Sequence, residues 1–305
     1  MEHIYDMLII GGGPGGYSAA LYAARAGLDV VVLEKLSAGG QMALTQDIDN
    51  YPGFPQGIDG FTLGENMQLG AERFGAKTEL AEVLSLDLQA DPKRIDTSEG
   101  TFYSRTVVYA AGAGPRELGI EKEQALTGRG VHYCAACDGM RYRDKTVVVA
   151  GGGNSAAEDA LALARIAKKV YLVHRRDVLR AEMLYRNALQ KAENVEFIWN
   201  SQVAELLSDG NLTGIRLQDV RNGQERELSC DGLFVSVGRK PATELVKDQL
   251  ELAAGGYIVA DESTRTNVPG VFAVGDVRTK ALRQVVTAVA DGAVAVHYAR
   301  EYLAL

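Results

Sequence analysis

The stretch that decides the fold spans residues 5–16 and reads YDMLIIGGGPGG. Its short apolar run is typical of a buried parallel strand, and the glycine turn leads into an Ala- and Leu-rich segment over residues 17–26. That segment predicts a helix that stops at Gly27, because a glycine is well suited to cap a helix C-terminus. A second apolar run at residues 29–34 completes the order strand, turn, helix, strand, which predicts a βαβ unit.

The same pattern recurs 140 residues further along the chain, where residues 146–156 read TVVVAGGGNSA. A helical pattern over residues 155–169, ending in Lys168 and Lys169, and a strand over residues 170–174 follow this second turn. Both turns fit G-x-G-x-x-G/A, whose glycines permit a tight turn, a close approach of backbone amides to a pyrophosphate and close helix packing. The pattern residues are Gly11, Gly13 and Gly16 in the first turn and Gly151, Gly153 and Ala156 in the second. The duplication predicts two dinucleotide-binding sites in an α/β protein.

The composition excludes several classes of protein. Glycine accounts for 34 of the 305 residues but proline for only 7, so the glycine excess is not that of a low-complexity or collagen-like chain. Three cysteines are too few for a disulfide scaffold, and no apolar run approaches the roughly 18 residues of a membrane span. The formal charge of −8 argues against nucleic acid or an anionic membrane as a partner. At about 150 residues per domain, we expect two domains. The start MEHIYDMLII lacks the basic region of a signal peptide, so we expect a cytoplasmic location.

The residue that ends the second strand of each unit distinguishes the two sites. Glu34 lies 23 positions after the first glycine of its turn, where an acidic residue accepts hydrogen bonds from ribose hydroxyls of an unphosphorylated adenosine. The equivalent position is His174, and Arg175, Arg176 and Arg180 follow it. Arginines there neutralise a 2′-phosphate, so the pattern predicts FAD or NAD at the first site and NADP at the second. The alternative for Glu34 is a surface carboxylate, and the alternative for the arginines is a solvated basic patch.

A pair of cysteines, Cys134 and Cys137 in the stretch CAACDG, is the candidate for redox chemistry. Two sulfurs at this spacing form a reversible disulfide that exchanges through a mixed disulfide, or they supply half of a zinc site. A zinc site needs further ligands, and the only candidates are the lone Cys230 and the nearby His132. No metal is therefore expected. Asp138 adjoins the second sulfur and is a candidate to move the thiol proton, with an N-cap or turn role as the alternative.

Distinctive motifs are spread along the whole chain. They are GGGPGG at 11–16, GGQM at 39–42, DNYPGF at 49–54, GRGVHYCAACDG at 128–139, GGGNSAAED at 151–159, LVHRRDVLRAE at 172–182, GVFAVGDV at 270–277, and Arg283 with Gln284. Together, these motifs resemble those of one enzyme family, the bacterial-type (low molecular weight) thioredoxin reductases, which are FAD-dependent pyridine nucleotide-disulfide oxidoreductases.

The resemblance implies a homodimer with two Rossmann-like domains of the three-layer ββα type, one inserted into the other. The FAD-binding domain would comprise residues 1–113 and 241–305, and the inserted NADPH-binding domain, residues 114–240, would carry the CxxC. A β-rich stretch after each glycine unit agrees with this duplication. The disulfide and the nicotinamide both need the flavin, so one arrangement of the two domains would not serve both steps. The crossings at 112–115 and 238–241 are therefore predicted hinges.

The resemblance also implies roles for individual residues. Electrons would pass from NADPH to FAD, then to the Cys134-Cys137 disulfide and finally to oxidised thioredoxin. Cys137 would lie next to the flavin, Cys134 would attack the partner's disulfide, and Asp138 would be the acid–base catalyst. The implied FAD residues are Gly11, Gly13, Pro14, Gly16, Glu34, Gln41, Asn50, Val83, Ala111, Gly112, Gly275, Asp276, Arg283 and Gln284. The implied NADPH residues are Gly153, Asn154, Ser155, Glu158, His174, Arg175, Arg176 and Arg180.

Departures from the family pattern leave the partner's identity open. Met140 and Arg141 stand where family members usually carry aromatic residues that help to dock thioredoxin, and Ala111 and Ala136 stand where Thr is common. The alternatives are another thioredoxin-like or peroxiredoxin partner, or an electron donor other than NADPH. The peroxiredoxin type normally has an additional N-terminal CxxC region, and homologues with another donor lose the nucleotide motifs. A non-enzymatic flavin-binding redox sensor is the alternative from a different class.

Overall fold

The computed structural model describes residues 3–45 and 48–304. The chain divides into two compact units: a first unit of Met1–Gly114 with Lys240–Leu305, and a second unit of Pro115–Arg239. Residues 1, 2, 46, 47 and 305 of the predicted FAD-binding domain lie outside the described residues. Throughout the described chain, every helix falls short of the length and apolar character that a bilayer crossing needs.

Strands and helices alternate in part of the chain, and two runs of consecutive strands interrupt that order. The strands are β1 Ile4–Ile10, β2 Val30–Glu34, β3 Lys77–Leu80, β4 Val83–Asp87, β5 Lys93–Thr97, β6 Gly100–Tyr109, β7 Ala113–Pro115, β8 Val131–His132, β9 Thr146–Gly151, β10 Lys169–Val173, β11 Val195–Ile198, β12 Ser201–Asp209, β13 Asn211–Asp219, β14 Glu225–Ser229, β15 Gly232–Ser236, β16 Arg239–Pro241 and β17 Val271–Ala273. The α-helices are α1 Pro14–Arg25, α2 Gly60–Glu72, α3 Glu123–Leu126, α4 Ala135–Asp138, α5 Asn154–Ala164, α6 Met183–Lys191 and α7 Val285–Leu303. Short 3₁₀ helices span Gly40–Leu44, Gly139–Tyr142 and Gly275–Val277.

The first unit is built on one sheet with the order β3-β2-β1-β6-β5-β4, in which β17 also pairs with β6. The strands β3, β2, β1, β6 and β17 pair in parallel, and β5 and β4 continue the sheet antiparallel. Met7, Leu8 and Ile9 of β1 are fully buried, as a central parallel strand covered on both faces requires. The strand order reverses at β1, so the carboxyl end of β1 and the turn that begins at Gly11 lie at a topological switch point.

Helices α1 and α7 of the first unit approach each other closely because both carry a glycine at the contact. A Cβ added at Gly292 would come 2.3 Å from the carbonyl oxygen of Gly15. Alanines on both helices are also buried here, and Ala19, Ala23, Ala295 and Ala299 belong to one buried cluster. This small-residue contact places the N-terminus of α1 beside the C-terminal segment of the chain.

The second unit repeats the parallel core in the order β11-β10-β9-β15-β8, with a separate antiparallel sheet of β12, β13 and β14. Val147, Val149 and Phe234 on one face of its parallel sheet pack with apolar residues of α5. The predicted fold class, α/β with one Rossmann-like unit inserted into another, is confirmed.

One predicted element boundary is wrong. The helix predicted over residues 155–169 ends at Ala164, because the amides of Lys168 and Lys169 both donate to the carbonyl of Lys145 and so lead into β10. This difference follows from a contact with a distant part of the chain. In the motif at 270–277, strand β17 ends at Ala273 and Gly275, with φ +74°, begins a 3₁₀ helix.

The two crossings between the units pair with each other as a two-stranded ladder of β7 and β16. Glycines with positive φ precede both strands, with φ +71° at Gly112 and φ +127° at Gly238. The amide of Ala242 donates to the carbonyl of Gly112, and the amide of Arg116 donates to the carbonyl of Gly238. The hinge role of these segments and the domain boundaries at 113 and 240 stay predictions.

Candidate redox and nucleotide sites

Cys134 and Cys137 form a disulfide in the second unit, with their Cα atoms 5.3 Å apart. Cys134 is the extended residue that precedes the short helix α4, and its carbonyl accepts the amide of Asp138. Positions three apart share one face of a helical turn, so the spacing of two residues between the cysteines brings the sulfurs together. The structure therefore joins the predicted cysteine pair in its oxidised form.

Asp138 ends α4, and its side chain turns toward a buried histidine. Its Oδ2 lies 3.2 Å from Nδ1 of His132, and the two side chains are 14% and 2% exposed. Within the described residues the Asp138 side chain makes no capping hydrogen bond, so the alternative N-cap role is wrong. A carboxyl group beside an imidazole is a suitable arrangement for moving a proton.

His132 is held on its other sides as well. Its Nε2 lies 2.6 Å from the phenol oxygen of Tyr142, and its ring stacks on Phe234 with the centroids 5.3 Å apart. Burial, and secondarily the charge of Asp138, raises the pKa of Tyr142 to about 12, so its phenol stays protonated. In the sequence, His132 is a candidate only as a zinc ligand, because its contacts with Tyr142 and Phe234 form only on folding.

Asp159 on α5 is a second carboxyl group beside the redox helix that the sequence reading missed. It accepts hydrogen bonds from the hydroxyl of Ser236 and from the backbone amide of Ala135, the residue after Cys134. Burial raises the pKa of Asp159 against the opposing effect of these hydrogen bonds. This carboxyl group ties the N-terminus of α4 to the parallel core of the unit.

The first glycine turn has the geometry that the sequence predicts for dinucleotide binding. Gly11 has φ +103°, and a Cβ at Gly16 would come 2.0 Å from the carbonyl oxygen of Gly11. Gly13 precedes α1, and a Cβ at this position would meet open space. The first amides of α1 therefore face a volume that glycine leaves free, which is how such turns receive a phosphate.

Glu34, at the end of β2, lies directly beside this turn. Its carboxylate accepts the amide of Gly12 at 2.7 Å and the amide of Leu36 at 3.0 Å. The phenol oxygen of Tyr17, adjacent to Gly12 and Glu34, is buried and has no hydrogen-bond partner among the described residues. A buried polar atom of this kind is usually satisfied by water or a ligand.

Four other predicted FAD residues come together around the start of α7. The Asn50 side-chain amide donates to the Gln284 side chain at 3.1 Å, and Gln284 also caps α7. The Arg283 guanidinium lies 4.0 Å from the centroid of the Tyr257 ring, and its Nε donates to the carbonyl of Asp276. The structure thus brings Asn50, Asp276, Arg283 and Gln284 together within the first unit.

The remaining predicted FAD residues take a variety of positions in the first unit. Pro14 opens α1, Ala111 and Gly112 follow β6, and Gly275 opens its 3₁₀ helix. Gln41 is exposed in the 3₁₀ helix Gly40–Leu44, and Val83 is half-buried at the start of β4.

A buried ion cluster supports the Gly275 turn, and the sequence reading missed it. Asp291 accepts two hydrogen bonds from Arg278, at 2.9 and 2.7 Å, one from Lys280 at 2.7 Å and one from the amide of Gly275 at 2.8 Å. Burial alone would raise the pKa of Asp291, but the hydrogen bonds from Arg278 and Lys280 outweigh it and lower that pKa. Asp291 is therefore a carboxylate that holds two buried cations and one turn in place.

The second glycine turn repeats the first in the second unit. A Cβ at Gly151 would come 2.4 Å from the carbonyl oxygen of Ser236, whereas a Cβ at Gly153, which precedes α5, would meet open space. A Cβ at Gly152 would come 2.2 Å from the His174 ring. Burial, followed by the charges of three arginines, lowers the pKa of His174, so this imidazole is neutral at pH 7.

The predicted phosphate-binding arginines surround His174 and are exposed. Arg180, Arg176 and Arg175 each lower its pKa, and the amide of Arg180 donates to the carbonyl of Gly152 at 2.7 Å. The Nε2 atom of His174 is buried and lacks a hydrogen-bond partner among the described residues. Three positively charged side chains therefore lie beside the second turn.

One of the predicted NADPH residues of α5 is exposed to solvent, and two others bind the segment around α6. Asn154 exchanges two hydrogen bonds of 2.9 Å with Glu182, and the Glu158 carboxylate accepts the phenol hydroxyl of Tyr185. Ser155 is exposed in the first turn of α5. Asn154 and Glu158 thus link α5 to the segment of α6.

Comparison with known proteins fits this geometry. The sequence profile of the family described as pyridine nucleotide-disulphide oxidoreductase matches residues 5–292. The chain belongs to the pyridine nucleotide-disulphide oxidoreductases.

Several proteins similar to this chain are thioredoxin reductases. The chain is 46% identical to the thioredoxin reductase of Streptomyces clavuligerus, over 100% of this chain and 95% of that protein. It is 44% identical to the thioredoxin reductase of Listeria monocytogenes, over 99% of this chain and 95% of that protein. The crystal structure of thioredoxin reductase from Streptococcus pyogenes matches with a TM-score of 0.90 at 42% identity, over 100% of this chain and 99% of that one. The predicted resemblance is confirmed.

The residues of this pyridine nucleotide-disulphide oxidoreductase fit two dinucleotides. Both turns leave open space at the glycine before the helix, Gly13 and Gly153. Each turn also has a buried polar atom beside it, on Tyr17 and on His174, that lacks a hydrogen-bond partner within the described part of the chain. With the family and its thioredoxin reductase relatives, these features support the predicted FAD and NADPH.

Proposed function

We propose that this chain is a thioredoxin-disulfide reductase, which uses NADPH and FAD to reduce the Cys134-Cys137 disulfide and passes the electrons to a thioredoxin. The observation that carries the proposal is the CxxC disulfide, formed beside a carboxyl–imidazole pair in a chain with two dinucleotide turns. Bound FAD would supply the two-electron exchange between the nicotinamide and the disulfide.

The reduced cysteine pair carries out thiol–disulfide exchange with the partner. The thiolate of Cys134 attacks one sulfur of the partner's disulfide, and a mixed disulfide forms as the first partner thiolate leaves. The thiolate of Cys137 then attacks the Cys134 sulfur, so the Cys134-Cys137 disulfide re-forms and the second partner thiolate leaves. Two electrons and two protons pass to the partner, and Asp138 takes a proton from a thiol and returns it to a leaving thiolate.

The two turns divide the nucleotides between them in this proposal. Residues of the first unit, with Glu34 at the end of β2, would hold FAD, and the Gly275–Asp276 and Arg283–Gln284 segments would lie against it. Residues of the second unit would hold NADPH, whose 2′-phosphate is recognised by the exposed guanidinium groups of Arg175, Arg176 and Arg180. The absence of a carboxylate at the position equivalent to Glu34 removes a repulsion that would disfavour that phosphate.

The partner, the assembly and the location belong to the same proposal. The partner is a thioredoxin or thioredoxin-like protein, and Met140, 51% exposed, with the exposed Arg141 would lie in its docking region. The resemblance supports a homodimer, and the crossings at 112–115 and 238–241 would act as hinges. A cytoplasmic location suits a chain whose disulfide cycles during catalysis and whose third cysteine, Cys230, is a buried free thiol.

An anaerobic titration tests the proposal. The purified protein should be yellow, its visible flavin band should bleach faster with NADPH than with NADH, and oxidised thioredoxin should restore the colour. A C134S variant should still bleach with NADPH, because the nucleotide sites are intact, but thioredoxin should not restore its colour. Bleaching of the wild-type protein without reoxidation by thioredoxin would instead favour a redox sensor.

A further inference from the structure

Three buried or nearly buried side chains form a line that leads inward from the redox helix. Oδ2 of Asp138 lies 3.2 Å from Nδ1 of His132, and Nε2 of His132 lies 2.6 Å from the Tyr142 phenol oxygen. The His132 ring is confined between these two partners by its stack on Phe234. The line Asp138, His132, Tyr142 is called the inner triad below.

A protonated Tyr142 allows the His132 proton to lie on Nδ1, because a phenol O–H can donate to an unprotonated Nε2. The pKa of Tyr142 is raised by burial to about 12, so the phenol has a hydrogen to donate at neutral pH. A neutral imidazole has one donor and one acceptor nitrogen. When the phenol donates to Nε2, the imidazole proton lies on Nδ1, and this N–H faces the Asp138 carboxylate.

We infer that His132 is a positioning residue of the dithiol chemistry, which orients the Asp138 carboxyl group and shares the proton that this group takes from a thiol. The inference rests on the proposed function, since it concerns the acid–base step assigned there to Asp138. It changes the chemical identity of the acid–base group from a lone carboxylate to a carboxylate–imidazole pair. His132 stands within the stretch GRGVHYCAACDG, and its partners Asp138 and Tyr142 come from α4 and the 3₁₀ helix Gly139–Tyr142.

The proton balance of the step is simple. In this inference, the pair holds one proton before the step, on Nδ1 of His132. One proton leaves a thiol and joins the pair, either as a carboxylic acid that donates to Nδ1 while Nε2–H faces the phenol oxygen, or as an imidazolium between carboxylate and phenol. The same proton then leaves the pair for the departing partner thiolate, and no electrons enter or leave the triad.

Other charged and titratable groups around the triad are the same in every variant considered below. Arg141, Asp231 and Cys230 act on Tyr142, and the pKa of Cys230 is itself raised by burial to about 12, so this thiol is neutral. The Lys145 ammonium lies 5.5 Å from the centroid of the Tyr142 ring. Asp159 binds the amide of Ala135 at the other end of α4. A change in pH dependence on substitution of His132 is therefore not due to removal of any of these groups.

The variant His132→Asn gives the sharpest kinetic test. Its side-chain amide keeps an N–H to face Asp138 but takes up no proton in the range where an imidazole does. The rate at which oxidised thioredoxin reoxidises the NADPH-reduced enzyme should fall roughly tenfold at neutral pH, as when an outer partner of a reacting group is removed. The pH profile of this half-reaction should differ from that of the wild type, because an amide takes up no proton where an imidazole can.

Two controls separate this role from a structural one. Reduction of the flavin by NADPH should have the same rate in H132N as in the wild type, and the exposed-histidine variant H297N should leave both half-reactions unchanged. An unchanged rate and pH profile of thioredoxin reduction in H132N would overturn the inference. Failure of the wild type to react with NADPH or thioredoxin would contradict the proposed function instead.

Two further measurements do not depend on the proposed function. The chain has only four histidines, so ¹⁵N-histidine NMR resolves them, with H132N assigning the signal of His132. The oxidised protein should show His132 with its proton on Nδ1, and Tyr142→Phe should reduce that population. When the protein is reduced with dithiothreitol, the rate of its reaction with a small aromatic disulfide should be measured against pH. Wild type and H132N should differ in this pH profile as they do with thioredoxin. An Nε2-protonated His132, or identical pH profiles, would overturn the inference.

Discussion

The carboxylate of Glu34 accepts a hydrogen bond from the backbone amide of Gly12 at 2.7 Å. In the other unit the same place is taken by His174, whose ring packs against Gly152 so closely that a Cβ there would be 2.2 Å away. Each glycine turn is thus in contact with the residue that ends the second strand of its unit. One of these residues is an acid, and the other is a neutral ring beside three arginines. This difference predicts that the first site prefers an adenosine without a 2′-phosphate and that the second site prefers one with it.

Glu34→Gln should weaken FAD binding by roughly 10- to 100-fold, because a charged hydrogen-bond acceptor contributes about 1.5–3 kcal/mol. The glutamine keeps the size of the side chain and one acceptor oxygen but loses the negative charge. The dissociation constant of FAD, measured by fluorescence quenching on the apoprotein, checks this. Glu82→Gln is the matched control, since Glu82 is an exposed carboxylate that pairs with Lys35. Equal effects of the two variants would argue against a ribose contact of Glu34.

Arg175→Ala combined with Arg176→Ala should raise the KM for NADPH by at least about 100-fold and change the KM for NADH little. Two charge-assisted contacts to a phosphate, at about 1.5–3 kcal/mol each, are lost only with the phosphorylated nucleotide. Steady-state kinetics with both nucleotides measure the ratio. The variant R165A/R226A removes two exposed arginines elsewhere in the same unit and should keep the NADPH preference. An equal loss with both nucleotides would remove the 2′-phosphate argument.

Gly16→Ala should abolish FAD binding or prevent folding of the first unit. Its Cβ would be 2.0 Å from the carbonyl oxygen of Gly11, which cannot move without opening the turn. Gly70→Ala is the control, because Gly70 lies within α2 with open space at its Cβ. This second change should stabilise the protein by about 0.5–1 kcal/mol, the helix preference of alanine over glycine. Thermal melting and flavin content measure both; normal flavin content in G16A would contradict the assigned turn geometry.

Asp291→Asn should destabilise the protein by about 3–5 kcal/mol at neutral pH, because it leaves the buried Arg278 and Lys280 without their carboxylate. The pKa of Asp291 is lowered in the folded protein, so its contribution is present above the ordinary carboxyl range of about 4 and is lost as the pH falls through the lower folded value. The difference between wild type and variant should therefore shrink on acidification. Chemical denaturation between neutral and acidic pH measures it, with the exposed Asp209→Asn as control. A difference that grows at low pH would contradict the assigned role.

The parts of the fold that the sequence predicts are those governed by local pattern. An apolar strand, a glycine turn and an Ala-rich helix follow each other within about 30 residues in a βαβ unit, and this order is visible without tertiary information. The end of α5 was not predictable in this way. Lys168 and Lys169 suit a helix C-terminus by charge, but their amides bind the carbonyl of Lys145, which precedes β9.

The residues of the candidate site also fall into two groups, those that the sequence predicts and those that it does not. The cysteine pair, the glycines, Glu34 and the arginines stand in recognisable spacings, because each acts directly on a sulfur or a nucleotide. His132, Asp159 and Asp291 act through other residues, and their partners are brought to them by strand pairing and helix packing. Asp159, for example, reaches Ala135 and Ser236, which are 24 and 77 positions away in the sequence. No spacing rule connects such residues before the sheet has formed.

The most direct test of the central claim counts the thiols of the protein at each stage of the reaction. The chain has three cysteines, so denaturation followed by alkylation and mass spectrometry distinguishes the states of Cys134 and Cys137. The oxidised protein should take up one alkyl group, on Cys230, and the protein treated with NADPH under anaerobic conditions should take up three. Addition of oxidised thioredoxin should return the count to one. A count that stays at one after NADPH has bleached the flavin would contradict the transfer of electrons to the Cys134-Cys137 disulfide.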